Sequence, residues 1–339
     1  MKVLITGGCG FIGCNIANIY SKRGDKVIVL DDLSRMGSEK NLEWLKQTQK
    51  IDFIKQDISD YKGLKAAVKK NKDVDVIYHM AAQVAVTTSV TDPRRDFEIN
   101  AQGTFNLLEA VREFQLNPVI IYASTNKVYG EMLDLKITDK NNTYQYLDLK
   151  NGISETRQLD FHSPYGCSKG SADQYVLDYA RIYGINTAVM RQSCIYGQRQ
   201  FGVEDQGWVA HFTICAVLNR PITIYGDGKQ VRDVLCVDDL VGLFDLAYRN
   251  INKIKGAAFN IGGGINNQMS LLELISMLEN KLNRKIEVKY APWRPGDQKI
   301  YVSDISKAKE ILGWQPKISK EKGIDMLIEW VIKNKELFK

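Results

Sequence analysis

Tyr165 and Lys169 lie four residues apart in a segment that begins at Ser163. On a helix this spacing brings the two side chains to one face. A lysine ammonium beside a phenol stabilises the phenolate, so the phenol can transfer a proton near neutral pH. Because a free tyrosine titrates near pH ~10, a working pKa near ~7 requires roughly 4 kcal/mol of such stabilisation. The pair alone is weak evidence, since the spacing is common, and its meaning depends on the rest of the chain.

A threonine at the end of a predicted strand extends this pair to a set that could act on a substrate hydroxyl. Thr125 follows the short apolar run 119–124, which we predict to be a buried strand. Parallel sheets bind ligands at the carboxyl ends of their strands. The Thr125 hydroxyl could therefore hydrogen-bond a substrate oxygen beside Tyr165 and Lys169, although it could also be an ordinary strand residue.

A glycine-rich turn near the amino terminus is typical of a dinucleotide site. Residues 7–13 include four glycines and lead from a predicted strand into a predicted helix. Glycines here permit a tight turn and a close approach of the backbone to a pyrophosphate, and the helix N-terminus offers free N–H groups. Asp31 ends the next strand, about twenty residues on, where a carboxylate can accept hydrogen bonds from an adenosine ribose. Because Asp31 would repel a 2′-phosphate, NAD is favoured over NADP, although nearby Arg35 leaves that choice open.

The elements that must position these groups alternate along the first half of the chain. Short apolar runs are predicted as strands at 2–6, 26–31, 51–56, 75–80, 119–124 and 186–192. Helical patterns are predicted at 11–23, 61–70, 97–114 and 168–183. This alternation predicts an α/β fold with a doubly wound (Rossmann) parallel sheet.

The second half is less regular and predicts a smaller mixed α/β substrate-binding domain. We predict an NAD-binding Rossmann domain at 1–190, to which the chain returns around 227–262, and a mainly nucleotide-sugar-binding domain at 191–339. Helical stretches are predicted at 271–282 and 306–312, with a last helix after Ser319. The polar segment 131–160 is predicted as an irregular excursion near the mouth of the active site.

Composition restricts the class of protein. Of the 339 residues, 44% are hydrophobic and 25% are charged, as in ordinary soluble globular proteins. No apolar run approaches the ~18 residues that span a membrane. Six scattered cysteines favour reduced thiols in a cytoplasm, and three histidines without a Cys-x-x-Cys pattern give no reason to expect a zinc site. The net charge of +6 is spread along the chain rather than gathered in a stripe that could bind nucleic acid. From these observations together we expect no metal, membrane or nucleic-acid partner.

Taken together, these motifs resemble the extended short-chain dehydrogenase/reductase superfamily. That superfamily carries an amino-terminal glycine motif, a Ser or Thr on the strand that Thr125 ends, and Tyr-x-x-x-Lys, in this order. The resemblance covers nearly the whole chain and includes residues 79–82 and Asn100. It implies NAD as the cofactor and a catalytic set made of Thr125, Tyr165 and Lys169.

The resemblance also assigns residues to the cofactor. In the family, Asp57 and Ile58 lie beside the adenine, and Lys169 holds the nicotinamide ribose. The residues predicted to bind NAD are Gly7, Gly10, Phe11, Ile12, Gly13, Asp31, Asp32, Asp57, Ile58, Ala81, Ala82, Asn100, Tyr165 and Lys169.

The residues after Thr125 exclude one branch of the superfamily. Nucleotide-sugar 4,6-dehydratases carry Asp-Glu at these positions, because they must move protons to eliminate water. Here the positions are Asn126 and Lys127. A neutral amide and a cation cannot supply that acid–base pair, so we do not expect dehydratase chemistry.

The substrate side is predicted from the second half of the chain. Arg232 and Arg294 resemble the family's arginines that contact the diphosphate of a nucleotide sugar, and a planar guanidinium suits that group. Either could instead be a surface arginine, and Gln200, Gln206 and Trp208 could line a sugar pocket or only pack the small domain. The residues predicted to bind the substrate are Thr125, Asn126, Gln200, Gln206, Arg232 and Arg294.

Longer stretches narrow the resemblance. Residues 87–89, 96–100 and 158–170 are similar to epimerases that invert carbon 2 of a CDP-linked dideoxyhexose. The chain departs from them at Gln192 and Cys194, which could contact the sugar. The resemblance implies an NAD-dependent nucleotide-sugar epimerase that forms a homo-oligomer, a dimer or tetramer. A UDP-sugar 4-epimerase, a nucleotide-sugar reductase or dehydrogenase, and a non-enzymatic nucleotide sensor remain as alternatives.

Overall fold

Parallel strands form the centre of the molecule. The computed structural model describes residues 1–141, 143–294 and 296–338. The strands in chain order are β1 (Lys2–Thr6), β2 (Lys26–Asp31), β3 (Ile51–Lys55), β4 (Val76–His79), β5 (Val119–Thr125), β6 (Ile137–Lys140), β7 (Thr143–Tyr146), β8 (Thr187–Gln192), β9 (Cys194–Tyr196), β10 (Ile222–Tyr225), β11 (Val231–Cys236), β12 (Ala257–Ile261), β13 (Gln268–Ser270), β14 (Val288–Ala291) and β15 (Ile300–Tyr301).

Seven of these strands form one sheet in the order β12-β8-β5-β4-β1-β2-β3, and every neighbouring pair runs parallel. The sheet grows outwards from β1 in two directions, so the strand order reverses between β1 and β4. Open parallel sheets bind ligands in the crevice at that reversal. The predicted doubly wound parallel sheet is therefore confirmed, and the glycine turn after β1 lies at its ligand-binding edge.

Helices cover both faces of this sheet. The helices of the described residues, including those of the second half of the chain, are, in chain order, α1 (Phe11–Lys22), α2 (Ser38–Thr48), α3 (Tyr61–Lys70), α4 (Val86–Thr91), α5 (Pro93–Phe97), α6 (Gly103–Glu113), α7 (Ser163–Tyr183), α8 (Trp208–Val217), α9 (Val237–Arg249), α10 (Ile251–Ile254), α11 (Leu271–Leu282), α12 (Ser306–Leu312) and α13 (Lys320–Lys333). A π-helical turn, Glu98–Gln102, joins α5 to α6.

The core follows from the alternation of side chains along each strand. In β1, Val3 and Ile5 point into one apolar layer, which includes Phe244 of α9, while Leu4 points into the opposite layer with Leu107 of α6. Because both faces of the sheet are buried, central strands such as β1 and β4 are nearly continuous apolar runs, whereas the edge strand β3 is partly exposed.

Shorter strands and a third apolar layer make up much of the second half. Strand β11 pairs with β9 and β15 in parallel and with β13 antiparallel, while β10 pairs with β14. Helices α8, α11 and α13 pack together around buried residues such as Ile224, Leu274 and Leu327. This half faces the carboxyl edge of the main sheet through β9 and β11.

Several predicted elements need correction. The excursion at 131–160 is not wholly irregular, because β6 and β7 form an antiparallel hairpin in it. The helix predicted at 168–183 begins at Ser163, so Tyr165 lies in its first turn. Helix α2 was not predicted, and α8 was missed because its almost uniformly apolar sequence has no helical period.

Three further observations concern the whole of the described chain. No helix in residues 1–141, 143–294 and 296–338 is long and apolar enough to cross a membrane. The same residues contain no group of three or more His, Cys, Asp or Glu side chains placed to hold a metal ion. The six cysteines are all free thiols, and only Cys167 is exposed.

Candidate active site

Two cavities meet at Tyr165. The first, of ≈ 200 Å³, runs along the ends of β1, β2 and β4, and we call it the cofactor groove. The second, of ≈ 360 Å³, extends from β5 towards β10 and β11, and we call it the substrate cavity. Tyr165, Ser124 and Gln192 line both cavities. A group bound in one cavity would therefore approach a group bound in the other beside the Tyr165 phenol.

The glycine turn shapes the floor of the cofactor groove. Gly7 has φ +65°, and a Cβ on it would lie 2.6 Å from the Ala81 nitrogen. A Cβ on Gly13 would lie 2.2 Å from the Gly7 oxygen. Both positions therefore require glycine, and the turn brings the N-terminus of α1 to the groove with its free N–H groups. This arrangement fits the pyrophosphate of a dinucleotide.

Asp31 provides a carboxylate at the end of β2. Its two oxygens accept hydrogen bonds from the backbone N–H groups of Cys9 at 2.9 Å and Leu33 at 2.8 Å. Burial raises the pKa of Asp31 in spite of these bonds. Each oxygen keeps a lone pair for a further donor, so Asp31 is placed to accept hydrogen bonds from ribose hydroxyls.

Arg35 points away from this carboxylate. Its Nη2 donates to Gln206 Oε1 at 2.7 Å, and among the described residues it forms no ion pair with Asp31. Arg35 is therefore not held beside Asp31, where a 2′-phosphate would lie, and this observation favours NAD over NADP.

All but one of the residues predicted to bind NAD line the cofactor groove. They are Gly7, Gly10, Phe11, Ile12, Gly13, Asp31, Asp32, Asp57, Ile58, Ala81, Ala82, Tyr165 and Lys169.

Asn100 is the exception, because it lies behind the wall of the groove. Its amide donates to Ser168 Oγ and to the Gln83 carbonyl oxygen, each at 3.1 Å, and its Oδ1 accepts from the Gln83 N–H at 2.9 Å. It sits in the π-helical turn between α5 and α6, and such turns often occur at functional sites. In this geometry Asn100 supports the 80–85 loop and α7 rather than lining the groove.

Tyr165 is fixed in the first turn of α7. Its backbone N–H donates to Ser89 Oγ at 3.1 Å, and its side chain is buried between the two cavities. Ser163, which begins the helix, has φ +63°, a left-handed conformation that is unfavourable for serine. The sharp turn aims the following helix so that Tyr165 reaches the end of β5, where Thr125 lies.

The pKa values differ from the simple expectation of a phenolate stabilised by lysine. Burial raises the pKa of Tyr165 to about 12, while a hydrogen bond with the Thr125 hydroxyl and the charge of Arg35 act to lower it. Asp96 acts to raise it, and Lys169 is not among the charges that set it. Thr125 and Arg35 are thus the groups that act to lower the pKa of Tyr165 in this structure, and the effect of Lys169 on the phenol stays a prediction.

Lys169 lies one turn along α7, as its spacing predicts. Its Nζ donates to the Ala123 carbonyl oxygen at 2.5 Å and lies 4.2 Å from the centroid of the Tyr122 ring. Burial lowers the pKa of Lys169 to about 7, and Asp173 and Asp96 oppose that shift. The ammonium reaches the cofactor groove, which suits the predicted contact with a ribose.

The six residues predicted to bind the substrate all line the substrate cavity: Thr125, Asn126, Gln200, Gln206, Arg232 and Arg294.

The two arginines occupy different parts of this cavity. Arg232 is buried and donates to Asp297 at 2.7 Å. Arg294 stacks over the Tyr225 ring at 3.8 Å, donates to the Glu204 carbonyl oxygen at 3.0 Å and pairs with Asp205 at 3.2 Å. Neither is a loose surface arginine, since both are held by partners at the cavity wall.

Buried amides in the substrate cavity retain hydrogen-bonding atoms without a protein partner. Within the described residues, Gln192 Nε2, Gln200 Oε1 and Gln230 Oε1 are buried and unbonded. All three side chains line the cavity. Unpaired polar atoms in a buried site favour a polar ligand that pairs with them.

Sequence patterns missed three residues of the site. Arg35 was considered only for the choice of cofactor, Lys127 only as an argument against dehydration, and Gln230 only as part of the loop that carries Arg232, without a place among the predicted site residues. Lys127 lines the substrate cavity and Arg35 the cofactor groove. No spacing rule joins Arg35 to Gln206 or Lys127 to Arg232, because these neighbours come from distant parts of the chain.

Comparison with known proteins gives consistent matches over the whole chain. Residues 4–327 match the family model described as GDP-mannose 4,6 dehydratase. The chain is 48% identical over 335 residues to CDP-paratose 2-epimerase of Salmonella typhi, which covers 97% of this chain and 99% of that protein.

Two solved structures share the fold. The UDP-glucose 4-epimerase of Thermus thermophilus in complex with NAD is 30% identical with a TM-score of 0.84, covering 98% of this chain and 99% of that one. The UDP-glucuronic acid 4-epimerase of Bacillus cereus in complex with UDP-glucuronic acid and NAD is 29% identical with the same TM-score and the same coverage.

Proposed function

Since the chain belongs to the GDP-mannose 4,6-dehydratase family, within the extended short-chain dehydrogenase/reductase superfamily, we propose that it is an NAD-dependent epimerase of a nucleotide-linked sugar. The meeting of the two cavities at Tyr165 carries this proposal. One cavity has the walls of a dinucleotide site and the other has two fixed arginines and unpaired amides. An enzyme that exchanges hydrogen between a dinucleotide and a nucleotide sugar needs this arrangement.

NAD, held along the glycine turn and Asp31, would supply the chemistry of accepting a hydride from a sugar carbon and returning it to the opposite face. Tyr165 takes the proton from the hydroxyl on that carbon and later gives it back to the ketone oxygen. The Thr125 hydroxyl orients the same oxygen. The proton and the hydride both return, so the cycle is redox-neutral.

The substrate side supports inversion rather than release of a keto sugar. Arg232 and Arg294 hold the diphosphate, so the 2-keto sugar can turn about its link to the phosphate while the nucleotide stays bound. Anchoring a remote part of the substrate positions the reacting ring without fixing which face it presents.

The family description names a dehydratase, but the site lacks the groups for dehydration. Asn126 and Lys127 occupy the two positions after Thr125. Asn126 Oδ1 accepts from the Thr125 hydroxyl at 3.4 Å, and an amide cannot act as a general acid. Epimerisation needs only Tyr165 and Thr125 at the reacting oxygen.

We further propose CDP-paratose and CDP-tyvelose as the substrate pair, interconverted at carbon 2. The 48% identity to a CDP-paratose 2-epimerase supports this choice over UDP sugars, since the UDP-glucuronic acid 4-epimerase is 29% identical. Gln192 and Cys194 line the substrate cavity at positions where residues could adjust the fit to the sugar.

The test supplies CDP-paratose or CDP-tyvelose to purified protein without added NAD and follows the stereochemistry at carbon 2 by NMR. Interconversion without net absorbance change at 340 nm supports the proposal. A lasting change at 340 nm would favour a reductase or dehydrogenase. Activity confined to UDP-glucose, with inversion at carbon 4, would replace the carbon 2 assignment, and no conversion of any nucleotide sugar would refute an epimerase.

We also propose that the protein is a homodimer through α6 and α7. Phe105, Tyr175, Ile182 and Tyr183 are exposed on these adjacent helices, with Ile182 exposed to 62%. Phe105 and Tyr175 contact each other edge to face at 5.5 Å. A contiguous aromatic surface of this kind is typical of a protein interface. Light scattering measures the molecular mass of the wild type and of Tyr175→Asp. We expect a dimer for the wild type and a monomer for the variant, and a monomeric wild type would refute the proposal.

A further inference from the structure

Lys127 is a charged side chain in the substrate cavity that the predicted roles leave unexplained. It belongs to the 3₁₀ turn Asn126–Tyr129 that follows β5, and its backbone N–H donates to Thr125 Oγ at 3.3 Å. Its Nζ donates to the Gly296 carbonyl oxygen at 3.2 Å. Within the described residues no carboxylate forms an ion pair with it, so its ammonium faces the cavity with donors to spare.

The charges around Lys127 leave this end of the cavity positive. Arg232 is close enough to lower the pKa of Lys127, and Asp297, the nearby carboxylate, is already bonded to Arg232 at 2.7 Å. Cys194 and Glu131 are the other titratable groups that act on it. Two cations thus lie near Asp297, which is bonded to one of them, and Glu131 forms no ion pair with Lys127 among the described residues. Such an arrangement is unfavourable unless an anion joins it.

The position of Lys127 in the chain limits which anion it can meet. It lies two residues after Thr125, which is placed at the reacting oxygen, and beside Arg232, which we place at the diphosphate. The ammonium therefore lies between the reacting end and the diphosphate end of the cavity. In a nucleotide sugar, the phosphate closest to the reacting end is the one attached to carbon 1. Carbon 1 is bonded to carbon 2, the carbon that is inverted.

We propose that Lys127 binds the sugar-side phosphate of the substrate, as a partner to Arg232. The proposal rests on the proposed function. It adds Lys127 to Arg232 and Arg294 as a third residue that contacts the diphosphate. An ammonium suits this place because it is a compact charge with three rotatable donors, whereas a guanidinium is a fixed planar fork. Lys127 can therefore keep its contact while the sugar turns about the bond to that phosphate.

Two other roles are distinguishable from this one. Lys127 could be a structural strut that ties the turn after β5 to Gly296, or a base that acts on the sugar ring. A strut would affect all ligands equally, and a base would change turnover without changing the affinity for a sugar-free nucleotide. A contact with the sugar-side phosphate changes the affinity for CDP, which carries that phosphate, and leaves CMP and cytidine, which lack it, nearly unchanged.

The experiment measures the binding of CDP, CMP and cytidine by calorimetry to NAD-loaded wild type, Lys127→Met and Lys127→Arg. Lys229→Met is the matched control, because Lys229 is a surface lysine that pairs with Asp139 outside the cavity. We expect Lys127→Met to weaken CDP by about 10- to 100-fold, the loss of one hydrogen bond between charged groups. Cytidine and CMP, which both lack the sugar-side phosphate, should bind within about twofold of wild type, and Lys127→Arg should restore most of the CDP affinity.

The outcomes separate this inference from the proposed function. Unchanged CDP affinity in Lys127→Met would overturn the phosphate contact while leaving a nucleotide-sugar enzyme in place. An equal loss for CDP and cytidine would overturn it in favour of the structural strut. Failure of the wild type to bind CDP at all would overturn the CDP assignment as well.

Discussion

The Arg35 guanidinium donates to Gln206 Oε1 at 2.7 Å and so joins the loop after β2 to the segment before α8. Both side chains line the cofactor groove. The same segment is fastened elsewhere, since Arg199 stacks on Trp44 of α2 at 4.1 Å. The carbonyl oxygens of residues 198 and 199 also accept hydrogen bonds from the side-chain amides of Asn15 and Asn41. The segment 198–206, which we call the strap, therefore lies against the cofactor side of the first half of the chain.

We expect Arg35→Met and Gln206→Ala each to speed the dissociation of NAD by about 10-fold or more. Arg35 is a cation in the groove without a carboxylate partner among the described residues, so it favours the anionic dinucleotide, and Gln206 holds it in place. Release after dilution is followed with the reduced cofactor NADH, which is fluorescent whereas NAD is not. If the pair acts as a unit, the double variant releases NAD no faster than Arg35→Met alone. Arg181→Met, on the surface of α7, is the control, and wild-type rates in all four variants would contradict the idea.

Tyr165→Phe should abolish most of the conversion while leaving binding intact. The substitution keeps the buried ring but removes the hydroxyl that is placed to take the substrate proton beside Thr125. Loss of a general acid–base group costs about 10²- to 10⁴-fold in rate. Conversion is measured by NMR, and NAD and CDP binding by calorimetry should stay within about threefold. A variant that retains more than about a tenth of the wild-type rate would remove Tyr165 from its proposed role.

The local parts of this site were predictable from the sequence, and the reason is geometric. Tyr165 and Lys169 share a helix, and residues 7–13 form a turn and the start of α1. Short spacings along the chain therefore fix the geometry of the pair and of the glycine turn. Arg35 and Gln206 are separated by 171 positions and meet only because the strap packs on α2. Neither spacing nor composition contains that information.

The pKa of Tyr165 shows a second limit of sequence reasoning. A Tyr-x-x-x-Lys pattern states that the two groups are near each other but not how deeply either is buried. Burial raises the pKa of Tyr165 to about 12 and lowers that of Lys169 to about 7. The desolvation that separates these values depends on the whole fold, including the π-helical turn and helix α7 that enclose both side chains.

The affinity for CDP should fall as the pH rises through about 8. Burial lowers the pKa of Lys127 to about 8, and Arg232 adds to this shift. Below that pH the side chain is an ammonium and binds phosphate, and above it the charge is lost. The phosphates of CDP are ionised by pH 7, because such groups have a second pKa near ~6. Calorimetry from pH 7 to about 9.5 should show the decline in wild type.

Two variants identify the group responsible for that decline. Lys127→Arg should bind CDP with nearly constant affinity across the range, because a guanidinium stays charged. Lys127→Met should bind weakly and also without a pH dependence. A decline of the same size in Lys127→Met would assign the titration to another group.

The last prediction concerns stability. Asp173, on α7, is fully buried and accepts hydrogen bonds from Nε and Nη2 of Arg191, each at 2.9 Å, and from Ser124 Oγ at 2.7 Å. Asp173→Asn leaves the buried guanidinium of Arg191 without a countercharge, which should lower the free energy of unfolding by about 3–5 kcal/mol. Asp178→Asn is the matched control, since Asp178 pairs with exposed Arg181 on the same helix and should cost less than about 1 kcal/mol. Urea unfolding followed by circular dichroism measures both, and equal effects would mean that the buried pair contributes no more than a surface one.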